Sequence, residues 1–452
     1  MTESLKEIYR YIDENADRFV EDLRRLCRQP SVSARHEGIE ECAELIKAMM
    51  EDVGVEARII PTEGHPIVLG EQRFPGATRT LGFYNHYDVQ PPEPLGEWES
   101  PPFSADVREG RIFARGAADN KGNFMARLKA VEAVKETVGR ARADVKFLLE
   151  GEEEIGSPHL GAFVKANMGA LRADGYNWEG GGVDERGRPV VNLGNKGLLY
   201  VELRAEGANT DVHSSRAPLV PNPAWRLFWA LNTLKDRDER ILVAGWYDDA
   251  KPPTDDEMRL LATMPFEEEA QKERLGLEEF LLTRSGADAL RHLYFSPTCT
   301  ICGLEAGYTG VGLKTVLPCR ATAKVGFRLP HALNPDVLYP KLRDHLRRHG
   351  FGDIQVTKLA GYEPSKTPAE HPFVRFVVEN LREVYGEEPV VWPMSAGTSP
   401  RYTISNWMDI PVVSAGGAGY PDSRAHAPNE NIRISDYIRS IKFNASLIAS
   451  YN

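Results

Sequence analysis

Apolar residues near the start of the chain recur at helical spacing. Leu5, Ile8, Ile12, Phe19, Leu23 and Leu26 predict an amphipathic helix. Helical patterns then alternate with short apolar runs. Ile39–Val53 predicts a helix, Thr80–Tyr84 a buried strand, Lys121–Thr137 a helix and Val145–Leu149 another strand. Such alternation predicts an α/β domain with a mixed, largely parallel sheet and helices on both faces. Sites on sheets of this kind gather in the loops at the carboxyl ends of the strands.

The pattern changes after about Asn195. Leu198–Ala205 predicts a strand, Pro223–Leu234 a helix, Thr298–Leu304 and Ala321–Leu329 strands, Pro335–His349 a helix and Asp353–Leu359 a strand. That order, β-α-β-β-α-β, is the split arrangement of a ferredoxin-like α+β unit. An acidic helical insertion, about Pro252–Arg291, interrupts it. From Ser365 the chain should return to the first domain, because Trp392 to His426 again suggests strands ending in Gly-rich loops. The expected organisation is a catalytic domain in two segments, 1–194 and 364–452, with a second domain, 195–363, inserted between them.

Composition narrows the function classes. The 452 residues are 42% hydrophobic and 27% charged, and no stretch approaches the roughly 18–20 apolar residues of a membrane span. Met1–Glu7 lacks the basic-then-apolar layout of a signal peptide, so a cytoplasmic protein with no membrane partner is expected. A net charge of −11, from 55 basic and 66 acidic residues, argues against nucleic acid as a partner. Five cysteines do not make a disulfide framework; Cys299 and Cys302 have the spacing of half a zinc knuckle or a redox motif, but without a second pair they are expected to be reduced and packed in a sheet.

Three clusters carry candidate chemistry. Thr80–Pro92 is an apolar strand running into His86-Tyr87-Asp88 and stopped by two prolines. A histidine there can bind a metal while a carboxylate two residues on orients its ring, although the same residues would also suit a surface turn. In Gly110–Gly122, Asp119 stands between a strand and a helix among small residues, where it could cap the helix or serve as a bridging ligand. Most informative is Phe147–Ser157, where Glu150, Glu152, Glu153 and Glu154 directly follow a hydrophobic strand. Carboxylates so close repel unless some are protonated or a cation neutralises them. A divalent metal would resolve the conflict, leaving one carboxylate as ligand and a neighbour as base. Glu179, before three glycines, and His426, in a late loop, complete a set of two histidines and three carboxylates. These donors suit zinc, manganese or cobalt, and with Asp119 shared they would serve two ions.

In this order the motifs resemble those of the zinc-dependent dipeptidase, carboxypeptidase and aminoacylase family that includes carnosinase, carboxypeptidase G and acetylornithine deacetylase. The resemblance covers nearly the whole chain, and Asn85–Pro92 and Glu150–Ser157 look closest to carnosinase-like dipeptidases. It implies two zinc ions, with His86 and Glu179 on one, Glu154 and His426 on the other, and Asp119 bridging. It implies that Asp88 orients His86 and that Glu153 is the general base for the water between the metals. The register within the glutamate run follows the family's Glu-Glu-x-Gly-Ser pattern, which here is Glu153-Glu154-Ile155-Gly156-Ser157 and leaves Glu152 a bystander. The family also implies a homodimer formed by the inserted domain, which acts as a lid. His213, in Thr210–Ser215, would reach the partner's site to stabilise the oxyanion. Arg328 would bind the substrate carboxylate. Gly397 and Ser399 resemble a substrate-binding loop, with Thr398 standing where a second glycine is usual.

The expected activity is hydrolysis of the amide bond of dipeptides or short peptides. N-acyl amino acid hydrolysis is the near alternative and a non-catalytic metal-binding protein the remote one. A hydrolase using carboxylates alone, such as a glycosidase, would leave both strand-end histidines without a role.

Overall fold

The N-terminal stripe forms two helices, Glu3–Glu14 and Ala16–Arg28, and not one. The Asn15 side chain donates a hydrogen bond to the Tyr11 carbonyl, competing for the helix's own acceptor and ending the first helix there. Every apolar residue of the stripe is still buried. The computed structural model describes residues 2–452, and these fall into two units.

The first unit contains the residues up to Gly194 together with Thr367–Pro393 and Thr403–Asn452. Its main sheet runs in the order Glu56–Ile60, Ile67–Gln72, Ala143–Glu150, Arg79–His86, Gly175–Trp178, Val412–Ala415, Pro189–Asn192, Val390–Trp392. The four central strands, Ala143–Glu150 through Val412–Ala415, are parallel. Antiparallel pairings flank them on both sides. The expectation of a largely parallel sheet therefore holds only at the centre. At one edge the reason is the short Pro61–Pro66 link, which can return a strand only antiparallel to its neighbour.

Alternate residues of the central strands face opposite layers. On one side Tyr84, Leu148 and Tyr176 pack with Leu160, Phe163 and Val164 of the Leu160–Leu171 helix. On the other, Phe147 meets Phe83 and Phe124, the latter from the Gly122–Thr137 helix. That helix is covered in turn by the last one, Ile434–Ser450.

The second unit contains Asn195–Lys366 and Met394–Tyr402. Its sheet is fully antiparallel, in the order Thr300–Ala306, Arg320–Leu329, Gly197–Glu206, Gln355–Tyr362. Leu199, Val201, Val325 and Phe327 form a core with Leu227 of the Pro223–Leu231 helix and Leu338 and Leu342 of the Pro335–Arg348 helix. This is the β-α-β-β-α-β order read from the sequence. The insertion is helical, comprising Asp255–Thr263, Glu268–Leu275 and Gly286–Phe295, and its first helix opens with a capping box between Thr254 and Glu257. All five cysteines are free. Cys299 is buried as expected, but Cys302 is exposed, because Thr300–Ala306 is an edge strand whose register slips between Ile301 and Gly303.

Candidate metal centre

Parallel central strands bring their carboxyl ends together. His86, the last residue of its strand, pairs in register with Glu150, and Glu179 directly follows the neighbouring strand. Asp119 lies in the turn that leads into the Gly122–Thr137 helix, with non-helical backbone and a cis peptide to Asn120. Gly116 lets that turn approach the His86 loop, since at its φ of +87° a Cβ would lie 2.7 Å from Val89. His426 sits on the late loop with φ +64°, a left-handed conformation uncommon outside glycine.

The two oxygens of Asp119 each face one histidine. Oδ1 is 2.9 Å from His86 Nε2 and Oδ2 is 3.1 Å from His426 Nε2. Glu179 Oε2 lies 3.3 Å from His86 Nε2, and Glu154 Oε2 lies 3.2 Å from His426 Nε2. His86 Nδ1 faces the Asp88 carbonyl at 3.0 Å and its carboxylate at 3.4 Å. The Asp88 carboxylate also accepts from the backbone N–H groups of Glu153 and Glu154, at 3.2 and 3.0 Å. One buried acid thus ties the histidine loop to the glutamate turn.

The four glutamates of the run have separate surroundings. Glu150 accepts hydrogen bonds from Tyr84 and Ser157, and burial pushes its carboxyl up to about 8. Glu152 turns toward the His65 backbone and His159. Glu153 is raised to about 7, first by burial and then by the neighbouring charges of Asp119, Glu154 and Asp88, although His86 opposes the rise. Glu154 accepts a hydrogen bond from Gln90 at 2.9 Å.

Crowded charge makes this a site short of cations. Burial, followed by the charge of Glu153, holds Glu179 well above the usual carboxylate range. Burial also disfavours the charged form of His86, but hydrogen bonds to Asp119 and Asp88 raise it well above the ordinary histidine value. Asp119 and Glu154 raise His426 to about 10. Against its burial, the same two histidines pull Asp119 below its usual value. Two buried carboxylate oxygens, Glu154 Oε1 and Glu179 Oε2, accept no hydrogen bond. His86, Asp119 and Glu154 each offer an atom within 4.8 Å of the others. Buried carboxylate oxygens that accept no hydrogen bond, beside imidazole nitrogens, fit a divalent cation of the zinc type.

Other predicted residues lie in the second unit. Arg328 donates to Thr398 Oγ1 at 2.6 Å, and Thr398 donates to the Lys196 carbonyl at 2.8 Å. Buried Lys196 donates to the Ser296 carbonyl, and its pKa is pushed down to about 8 by burial and by Arg328. Ser399 Oγ is buried without a hydrogen bond, and the Gly397 N–H donates to Ser395 Oγ. His213 is exposed, with Nδ1 near Ser215 and Nε2 3.1 Å from Thr315 Oγ1.

Sequence reasoning passed over several residues that hold the centre together. Arg127 is fully buried and donates to the Tyr84 and Trp178 carbonyls and to Asn85 Oδ1, bracing the strands that carry His86 and Glu179. Gln90 steadies Glu154, and Glu430 holds the Asp119 turn. Only Gln90 had an available signal, being within the His86 motif.

A divalent-cation donor set at strand ends, with a free carboxyl beside it, defines a metallohydrolase type of centre. Residues 82–450 match the model of Peptidase family M20/M25/M40. The chain is similar to an M20 family metallo-carboxypeptidase from Sulfolobus solfataricus, with 42% identity, TM-score 0.89, and coverage of 94% of this chain and 97% of that one. It is 28% identical to a Cys-Gly metallodipeptidase of Schizosaccharomyces pombe, covering 98% of this chain and 97% of the relative. With the Beta-Ala-His dipeptidase of Rattus norvegicus it shares 26% identity over 98% and 94%. The chain belongs to the M20 peptidase family and is a metallopeptidase. No helix among its described residues is long and apolar enough to cross a membrane.

Proposed function

We propose that this metallopeptidase uses two metal ions to hydrolyse the amide bond next to the free carboxylate of dipeptides and short peptides. One observation carries the reading: a single carboxylate, Asp119, presents each of its oxygens to a different histidine, and each histidine has its own glutamate. In this reading His86 and Glu179 would hold one ion and His426 and Glu154 the other, with Asp119 available to both. Zinc is the inferred ion, with manganese and cobalt as alternatives. When bound, the ions supply Lewis-acid polarisation of the scissile carbonyl and acidify water.

The chain's own residues supply the rest. Asp88 fixes the His86 ring and the backbone of the Glu153-Glu154 turn. A Glu153 carboxyl oxygen takes the proton of the attacking water and returns it to the leaving nitrogen. Its raised pKa, about 7, suits a group that must both accept and donate near neutrality. Arg328 takes the substrate carboxylate, with Gly397 and Ser399 lining the same end. His213 stabilises the oxyanion in the site of a second subunit, as expected if the second unit is a dimerising lid. In support of a homodimer, the Pro223–Leu231 helix leaves Trp225, Phe228 and Trp229 46–58% exposed on one side.

Zinc-loaded protein should cleave a dipeptide panel and leave N-acetyl amino acids intact. The reverse preference would identify a deacylase. Glu153→Ala should retain both ions and lose turnover with every substrate; retained turnover would remove Glu153 as the base.

A further inference from the structure

Behind the Asp119 turn lies a second, fully buried charged pair. Arg115 and Glu430 are each about 1% exposed or less, and the guanidinium donates to Glu430 Oε2 at 2.7 Å. The same Glu430 carboxylate accepts from three backbone N–H groups of the Asp119 turn. Gly116 N–H reaches Oε2 at 3.0 Å, while Ala118 and Asp119 N–H reach Oε1 at 2.9 and 3.0 Å. Arg115 in turn donates to the Pro91 carbonyl at 3.3 Å and the Ala427 carbonyl at 3.4 Å. One ion pair therefore joins three loops: the one after His86, the one bearing Asp119 and the one bearing His426.

We infer that Glu430 is a positioning residue for the metal centre, fixing Asp119 so that both of its oxygens are aimed at once. A buried acceptor on the backbone N–H fixes where the Asp119 side chain starts, which limits how far its carboxylate can favour one partner over the other. Outer groups that orient ligands in this way typically contribute ~10–100-fold in metal affinity. Because Asp119 serves both ions, loss of Glu430 must weaken both together. Loss of a residue behind one terminal ligand would weaken only one.

The inference rests on the two-ion reading above, and the test separates the two. Chelator-treated wild-type protein and Glu430→Gln are titrated with zinc chloride against a chromophoric chelator, and each is melted with and without zinc. Glutamine keeps the size but offers one acceptor oxygen where two are used. The expected result is two zinc ions per chain in both proteins, each bound at least tenfold more weakly in the variant, with a smaller rise in Tm on adding zinc. A purely structural role would lower both melting temperatures equally and leave the zinc-induced rise unchanged; that outcome, or loss of affinity for one ion alone, overturns the inference. Wild-type protein that binds fewer than two ions overturns the two-ion reading and the inference with it. If Glu430→Gln does not fold, Arg115→Lys, which keeps the charge but withdraws the guanidinium fork, should show a smaller parallel weakening. Unchanged affinity for both ions in that variant refutes the inference.

Discussion

Zinc uptake by the metal-free chain should release at least one proton at pH 7. The perturbation is addition of zinc to chelator-treated protein. In that protein His426 has its pKa raised to about 10 by Asp119 and Glu154, and His86 is raised well above its ordinary value by the hydrogen bonds that outweigh its burial. His426 is therefore imidazolium at pH 7 and His86 is biased toward the same form, yet an imidazole must be neutral to bind a metal. Each displaced proton contributes a factor of ten in apparent affinity per pH unit. With the His426 proton alone, the product of the two zinc constants should rise roughly tenfold per unit near neutrality, and more steeply wherever His86 is also charged. Glu179, whose pKa is raised by burial, adds a further proton wherever it is still protonated. Proton release is read in weakly buffered solution with an indicator dye, and affinity by chelator competition at several pH values. Release of fewer than one proton per chain, or affinity flat with pH, would refute the argument. The stability of the metal-free chain should run the opposite way. A histidine raised by an acidic partner contributes stability that is complete below its unfolded pKa, about 6.5, and is lost as pH climbs through its folded value. For His426 that loss falls between about 6.5 and about 10, so metal-free protein should melt lower at pH 10 than at pH 7.

Arg127→Leu removes a buried guanidinium's hydrogen bonds to three buried acceptors, and should destabilise the first unit by roughly 3–5 kcal/mol, measured by denaturant unfolding of metal-free protein; a loss under about 1 kcal/mol would show that the brace is dispensable. Arg328→Lys replaces a fork with a point charge, so KM for dipeptides should rise about tenfold or more with metal content unchanged, and an unchanged KM would place the substrate carboxylate elsewhere. Trp225→Glu with Trp229→Glu should convert a dimer to monomer in sedimentation velocity; a variant that remains dimeric would put the interface on another surface.

The parts of the structure that were legible depend on local pattern. An apolar strand that stops at a polar residue marks its own end, so His86 and the glutamate run were found where hydrophobicity breaks off. The β-α-β-β-α-β order was legible because the strand and helix periods differ. What escaped depends on partners distant in sequence. Glu430 reaches Gly116 across 314 residues, and nothing in its neighbours distinguishes it from a surface glutamate. Arg127 lies in a helix buried almost all round, where no polar face is left to mark the unusual position. The break at Asn15 rests on a single side-chain hydrogen bond, which spacing cannot register. The antiparallel edges of the sheet depend on loop geometry, and Cys302 is exposed because its strand has no neighbour on one side.

Strand order also has a consequence for how the chain is made. Val412–Ala415 lies inside the main sheet, parallel to Gly175–Trp178 and antiparallel to Pro189–Asn192. A ribosome completes those two neighbours about 220 residues before it reaches the strand that joins them. At ~5–20 residues per second the interval is roughly 10–45 s, during which the nascent sheet carries an open gap with unpaired edges. The second unit can form during that interval from its own antiparallel strands, while the first must wait for Val412–Ala415. A stalled or truncated chain would therefore expose adhesive strand edges and lack His426, linking solubility and metal capture to completion of the same segment.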